Sequence, residues 1–77
     1  MSPGSLLERI SADPAVLGGK PCIRGHRIGV SLVLGLLAGG MSVEQVVAEY
    51  PGIEDLDVRA CMAYGAQLAE SGFVDVA

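Results

Sequence analysis

The sequence predicts a mainly α domain: a three-helix bundle of the helix-turn-helix kind behind a short N-terminal β-hairpin segment. Three observations carry this prediction. Apolar residues recur at helical spacing in three successive stretches after residue 29, turn and capping residues separate those stretches, and the first third of the chain holds three of the four prolines and no helical period. The chain has 77 residues, enough to enclose one core and too few for a second module. A single core of this size supplies roughly 3 to 5 kcal/mol, so a partner subunit is a common source of further stability.

Residues 1–9 read as a tail. Met1 to Leu6 is small and polar enough to fray, and Leu7 to Ser11 suggests an edge strand around Ile10. Ala12 to Pro21 contains Pro14, Gly18, Gly19 and Pro21, residues that favour turns, and is expected to be a structured loop. Cys22-Ile23-Arg24 and Arg27-Ile28 flank Gly25-His26, and glycine as the first of two loop residues suits a type II′ hairpin. The single domain is therefore expected over 10–70, with 71–77 as a C-terminal tail.

The first helix is predicted over 30–38, where Val30, Val33, Leu34 and Leu37 keep the i, i+3, i+4, i+7 rule and Gly39-Gly40 offers a left-handed stop. Leu32 and Leu36 lie off that stripe, which makes the helix apolar around most of its circumference. A chain this small has little to cover both faces, and this points to a homodimer or to docking on another protein. Ser42 and Gln45 form a capping box for a second helix over 43–50, with Val43, Val46, Val47 and Tyr50 on one face and Pro51 as the stop.

The third helix is predicted over 55–70. Glu54 stands at its cap, and Asp55 and Asp57 suit the positive end of the helix dipole. One stripe runs through Leu56, Ala60, Ala63, Tyr64 and Leu68, and another through Val58, Met62, Gly65 and Ala69. Leu32, Leu36, Val58 and Met62 are the candidate residues of a dimer or partner interface, with Phe73 and Val74 of the tail as further apolar anchors.

The formal net charge is −4, from five basic and nine acidic residues, and this argues against bulk affinity for nucleic acid. The distribution is uneven. Lys20, Arg24 and Arg27 fall within eight positions with His26 among them, while Glu44, Glu49, Glu54, Asp55 and Asp57 lie in the second half. Lys20, Arg24, His26 and Arg27, with Arg59 on the third helix, are therefore the candidate residues for contacting an acidic partner or DNA. Major-groove reading by the third helix is disfavoured by its acidic start, and Asp55 and Arg59 stand at i, i+4, where they pair with each other.

No catalytic constellation, cofactor site or metal site is predicted. Gly18-Gly19-Lys20 is followed by Pro21 and lacks the spacing of a phosphate loop. Cys22 and His26 cannot complete a four-ligand zinc site; both cysteines, Cys22 and Cys61, read as buried small hydrophobes, and His26 as a solvated side chain at a turn tip. The placement of Glu54, Asp55 and Asp57 is explained by capping, without nuclease chemistry. The uncharged run from Ile28 to Val43 falls short of the roughly 20 residues of a membrane span, and Met1 to Ser5 has no basic flank or apolar core of a signal peptide. The expectation is a cytosolic protein without membrane contact.

Asp13-Pro14 and the run Gly18-Gly19-Lys20-Pro21-Cys22-Ile23-Arg24-Gly25-His26-Arg27-Ile28 resemble the "GGKPxIRGTRI" signature of the domain of unknown function 433 family. Leu37-Ala38-Gly39-Gly40-Met41-Ser42-Val43-Glu44-Gln45 is similar to its "LAxGxSxEEI", Tyr50-Pro51-Gly52-Ile53 to its "YPxL", and Val58-Arg59-Ala60 with Ala63-Tyr64 to its "IxAALxYA". The resemblance spans about Ile10 to Glu70, and departs from the family pattern at His26, usually Thr, and Gly29, usually Pro. It implies a homeodomain-like three-helix fold, often dimeric, and an antitoxin-like role: binding and neutralising a PIN-like nuclease toxin, with autorepression of the operon as a second role. The alternative is a DNA-binding transcriptional regulator without a toxin partner.

Overall fold

The structure, a computed structural model, describes residues 3–72. Four helices and a two-stranded antiparallel sheet follow in the order α1 (Pro3–Leu7), β1 (Ile10–Ser11), β2 (Cys22–Ile23), α2 (Val30–Ala38), α3 (Val43–Glu49) and α4 (Asp55–Ser71). The mainly α class is as the sequence predicts. The long helix α4 is the hub: α1, α2, α3 and β1 all pack against it. Nine residues form one core, in which Ile10 and Ile23 of the sheet meet Val30 and Val33 of α2, Val46 of α3, Ile53, and Val58, Ala60 and Cys61 of α4.

The three predicted helices stand within one residue of their expected bounds because their caps are written locally. At the end of α2 the Met41 N–H reaches the Leu36 carbonyl at 3.1 Å and the Gly40 N–H the Leu37 carbonyl at 3.0 Å. With Gly40 at φ +109°, this is a Schellman stop that glycine makes without strain. The capping box of α3 is complete: Gln45 N–H donates to Ser42 Oγ at 3.1 Å, and Ser42 N–H donates to Gln45 Oε1 at 2.8 Å. Tyr50 leaves helical geometry because the following Pro51 disfavours it there.

The N-terminal third departs from expectation. The segment read as a tail contains α1, which begins at a proline, an accepted first helical residue, and lays Leu6 against the core. Five residues are too few to show a helical period, so only contact with α4 reveals this helix. The ribbon also differs. β2 pairs with β1, Ile10 opposite Ile23 and Ser11 opposite Cys22, and its other edge is held by a bridge from Cys22 to Gly29. The turn after β2 closes by His26 N–H donating to the Ile23 carbonyl at 2.9 Å. Arg24 and Gly25 are thus its central pair, with Gly25 second at φ +83°, the type II pattern instead of the expected II′.

Both cysteines are buried and free. Burial, with the charge of Asp57 as a lesser cause, pushes the Cys61 thiol up to about 11. No helix among the described residues is long and apolar enough to cross a membrane.

Candidate functional site

The five cations divide into two groups. Arg9, which the sequence reading passed over, binds two carboxylates: its Nη1 lies 3.1 Å from Asp57 Oδ1 and 3.2 Å from Glu54 Oε1. These bonds, Asp57 first, raise the pKa of Arg9 above its ordinary value. Asp57 in turn accepts the Glu54 N–H at 2.7 Å through Oδ2, so one carboxylate both caps α4 and anchors the N-terminal segment. It is 7 % exposed, with every oxygen satisfied. Arg24, expected to reach a partner, is turned on its own chain: Nε donates to the Glu8 carbonyl at 2.8 Å and Nη2 to the Ile10 carbonyl at 3.0 Å. Arg59 pairs with Asp55 at 2.6 Å, as the i, i+4 spacing predicts.

Lys20 and Arg27 remain. Among the described residues their side chains make no hydrogen bond or ion pair, and both lie exposed on the rim of the same groove. That groove, about 630 Å³, runs between the loop before β2, the first turns of α2 and the second half of α4. Its lining is largely apolar, with Leu17, Leu32, Leu34, Tyr64 and Leu68 exposing side chains to it. At its floor α2 and α4 approach closely because residue 65 is glycine; a Cβ there would stand 3.0 Å from Leu34 Cδ1. A smaller cleft lined by Leu7, Ile10 and Gln67 shares Pro21, Tyr64 and Leu68 with it and extends the apolar strip toward α1.

Four large hydrophobic side chains stay exposed among the described residues, and three of them, Leu17 (40 %), Leu32 (44 %) and Leu68 (57 %), line this groove. Leu17 is unusual in a second way. It has φ +50° in the Leu17–Gly19 turn, a left-handed conformation that disfavours a side-chain-bearing residue by roughly 1 to 2 kcal/mol. The strain is borne by a leucine that lies against Gly29 and leaves 40 % of its surface open on the groove. Such an apolar residue in a turn was the available signal in the sequence, next to glycines that hide it.

The other sequence candidates fall variously. Leu32 is on the groove. Leu36 is half-buried against the chain's own core, where it accompanies Met41 at the Schellman stop, and it does not line the groove. Val58 is fully buried in that core, which corrects its assignment to an interface: it faces inward with Ala60 and Cys61, while Met62 and Ala69 of its expected stripe do not. Met62 is exposed on the outward face shared with Asp55 and Arg59, away from the groove. His26 is half-buried, not out in water at a turn tip; its ring lies against Gly52, where an added Cβ would come 3.4 Å from Cε1. Phe73 and Val74 lie outside the described residues. No group of three or more His, Cys, Asp or Glu able to hold a metal ion occurs among the described residues.

Comparison with known proteins points in one direction. The chain is 33 % identical over 57 residues to an uncharacterized protein, y4eO, of Sinorhizobium fredii; the match covers 74 % of this chain but only 26 % of the relative, so the chain spans about a quarter of its length. A crystal structure of a DUF433 member protein from Anabaena variabilis is similar in fold, with a TM-score of 0.77 at 31 % identity, covering 88 % of this chain and 67 % of that one. A family model matches residues 10–65, most of the chain and the whole of the ribbon and groove floor, and this protein therefore belongs to the family described as Protein of unknown function (DUF433).

Proposed function

We propose that this protein is a non-enzymatic, antitoxin-like interaction subunit of the cytosol, which binds and neutralises a nuclease partner by docking it on the groove between α2 and α4. The observation that carries this reading is the gathering of exposed leucines on one groove whose rim holds the two unpaired cations. Solvated leucines scattered singly need no explanation, whereas three on one concave surface, one of them in a strained backbone, do. Burying the exposed half of each on a partner contributes about 1 kcal/mol, and the cations favour a partner of opposite charge.

The domain's occurrence as a quarter of a longer relative accords with a module that works alongside another protein surface. Regulation through DNA has less support. The start of α4, the reading helix of a helix-turn-helix, presents Glu54, Asp55 and an Arg59 already held by Asp55.

The test is co-expression with the product of the adjacent reading frame. The expected result is relief of growth arrest and co-purification of the two chains, both lost in Leu68→Asp. Neither relief nor co-purification with the native chain overturns the reading.

A further inference from the structure

We propose that the occupant of the groove is an amphipathic helix of the partner protein, its apolar stripe against Leu17, Leu32 and Leu68 and its acidic end against Lys20 and Arg27. The inference rests on the docking role argued above and adds the chemistry of what docks.

Charge complementarity selects the acidic end. In a chain of net charge −4, two of the five cations, Arg9 and Arg59, meet carboxylates, Arg24 donates to two backbone carbonyls, and the two left without a partner among the described residues stand on one rim. An occupant carrying carboxylates there gains two charge pairs; a basic one gains none and meets like charge.

The form of the walls selects the helix. An extended peptide needs a row of free backbone donors and acceptors, usually an open strand edge. This groove offers helix faces and a loop, and the carbonyl of Pro21 on its wall is already taken by the Val30 N–H at 3.0 Å. A helix satisfies its own backbone and asks only for apolar contact. The α2 wall of the groove runs from Val30 to Leu34, about 7 Å at helical rise, so it contacts between one and two turns of a partner helix. Because the trough is open, it suits a helix laid along it better than a small ligand, which would need to be mostly enclosed.

The experiment uses three fluorescein-labelled 18-residue synthetic helices with the same leucine stripe and Glu, Gln or Lys in the first turn. Binding is read by anisotropy and by amide shifts of the full chain, for the native protein and for the K20E/R27E variant. Both replaced residues are exposed and unpaired, so the variant folds, which circular dichroism checks. The expected ranking on the native chain is Glu over Gln over Lys, with the Glu peptide about tenfold tighter than the Gln peptide, and shifts at Leu17, Lys20, Leu32, Tyr64 and Leu68. K20E/R27E should invert the ranking.

No saturable binding of the Glu peptide, a ranking indifferent to K20E/R27E, or shifts confined to another face overturns the proposal. So does self-association that Leu68→Asp abolishes and the Glu peptide does not displace, because a second copy is then the occupant. If the peptides fail while co-purification survives and remains sensitive to Leu68→Asp, the helix is wrong and the docking role stands; if both fail, both are wrong.

Discussion

The two halves of α4 are built for different work. In the first, Asp57, Val58, Ala60 and Cys61 are buried, Asp57 caps the helix and takes Arg9 from 48 residues away, and Asp55 holds Arg59. In the second, from Tyr64 onward, no residue is fully buried, Leu68 is more than half exposed, and the cations nearest the apolar surface are unpaired. The first half holds the fold together, and the second, beyond the packing of Tyr64 and Gly65, is exposed. A helix that is one continuous element to its hydrogen bonds is therefore two regions to its surroundings, and a substitution should show which region it belongs to by whether stability or binding changes.

The largest loss of stability is expected for Asp57→Ala, about 3 kcal/mol, because it removes a cap and leaves Arg9 without its principal partner. Urea unfolding measures this, and a value within about 0.5 kcal/mol of the native chain would mean that the capping end is not the committed end. Arg9→Ala should cost less, since its guanidinium is partly solvated, and a double-mutant cycle with Asp57→Ala should show the two effects to be non-additive.

Cys61 gives a test by pH. Its folded pKa of about 11 lies above that of an unfolded thiol, so the unfolded chain loses this proton first. In that window the folded state binds more protons, and stability must fall as pH rises from about 8.5 to about 11. The contribution is flat at neutral pH. Alkylation by iodoacetamide at pH 8 should accordingly be slow in the native chain and fast in urea. Rapid native alkylation of Cys61 would place the opening of the core near α4's first half.

The smallest effects on stability belong to the groove. Leu68→Asp and Leu32→Asp should change unfolding by no more than about 0.5 kcal/mol, as exposed positions do, while abolishing partner binding. Leu17→Gly goes further: relief of the left-handed backbone should leave stability unchanged or raise it by up to about 1 kcal/mol, with weaker binding. A clear loss of stability in Leu17→Gly would show that Leu17 serves the monomer and would remove it from the site.

Much of the fold was legible because its signals are local. Ser42 with Gln45, Gly39 with Gly40 and Pro51 set helix ends through bonds spanning three to five residues, and the pairing of Asp55 with Arg59 needs only the helical repeat. The site was half legible. Lys20, Arg27 and Leu32 were singled out from charge clustering and periodicity, but Arg24 was grouped with them because nothing local shows that its guanidinium turns back onto residues 8–10. Val58 was assigned outward for the same reason: a helix apolar on two sides does not state which side the rest of the chain will cover.

The amino-acid sequence by itself determined the class, the three main helices with their stops, the family and the uneven placement of charge, since each depends on neighbours within a turn or two or on a run of matching residues. Only the tertiary structure decided that residues 3–7 form a helix, that the ribbon pairs β1 with β2, that Arg9 is fastened to Asp57, and that Lys20 and Arg27 are the cations left free beside Leu17, Leu32 and Leu68. These are long-range choices. Which cation finds a carboxylate and which leucine finds a neighbour depends on what α4 brings together from opposite ends of the chain, and no spacing in the sequence encodes that distance.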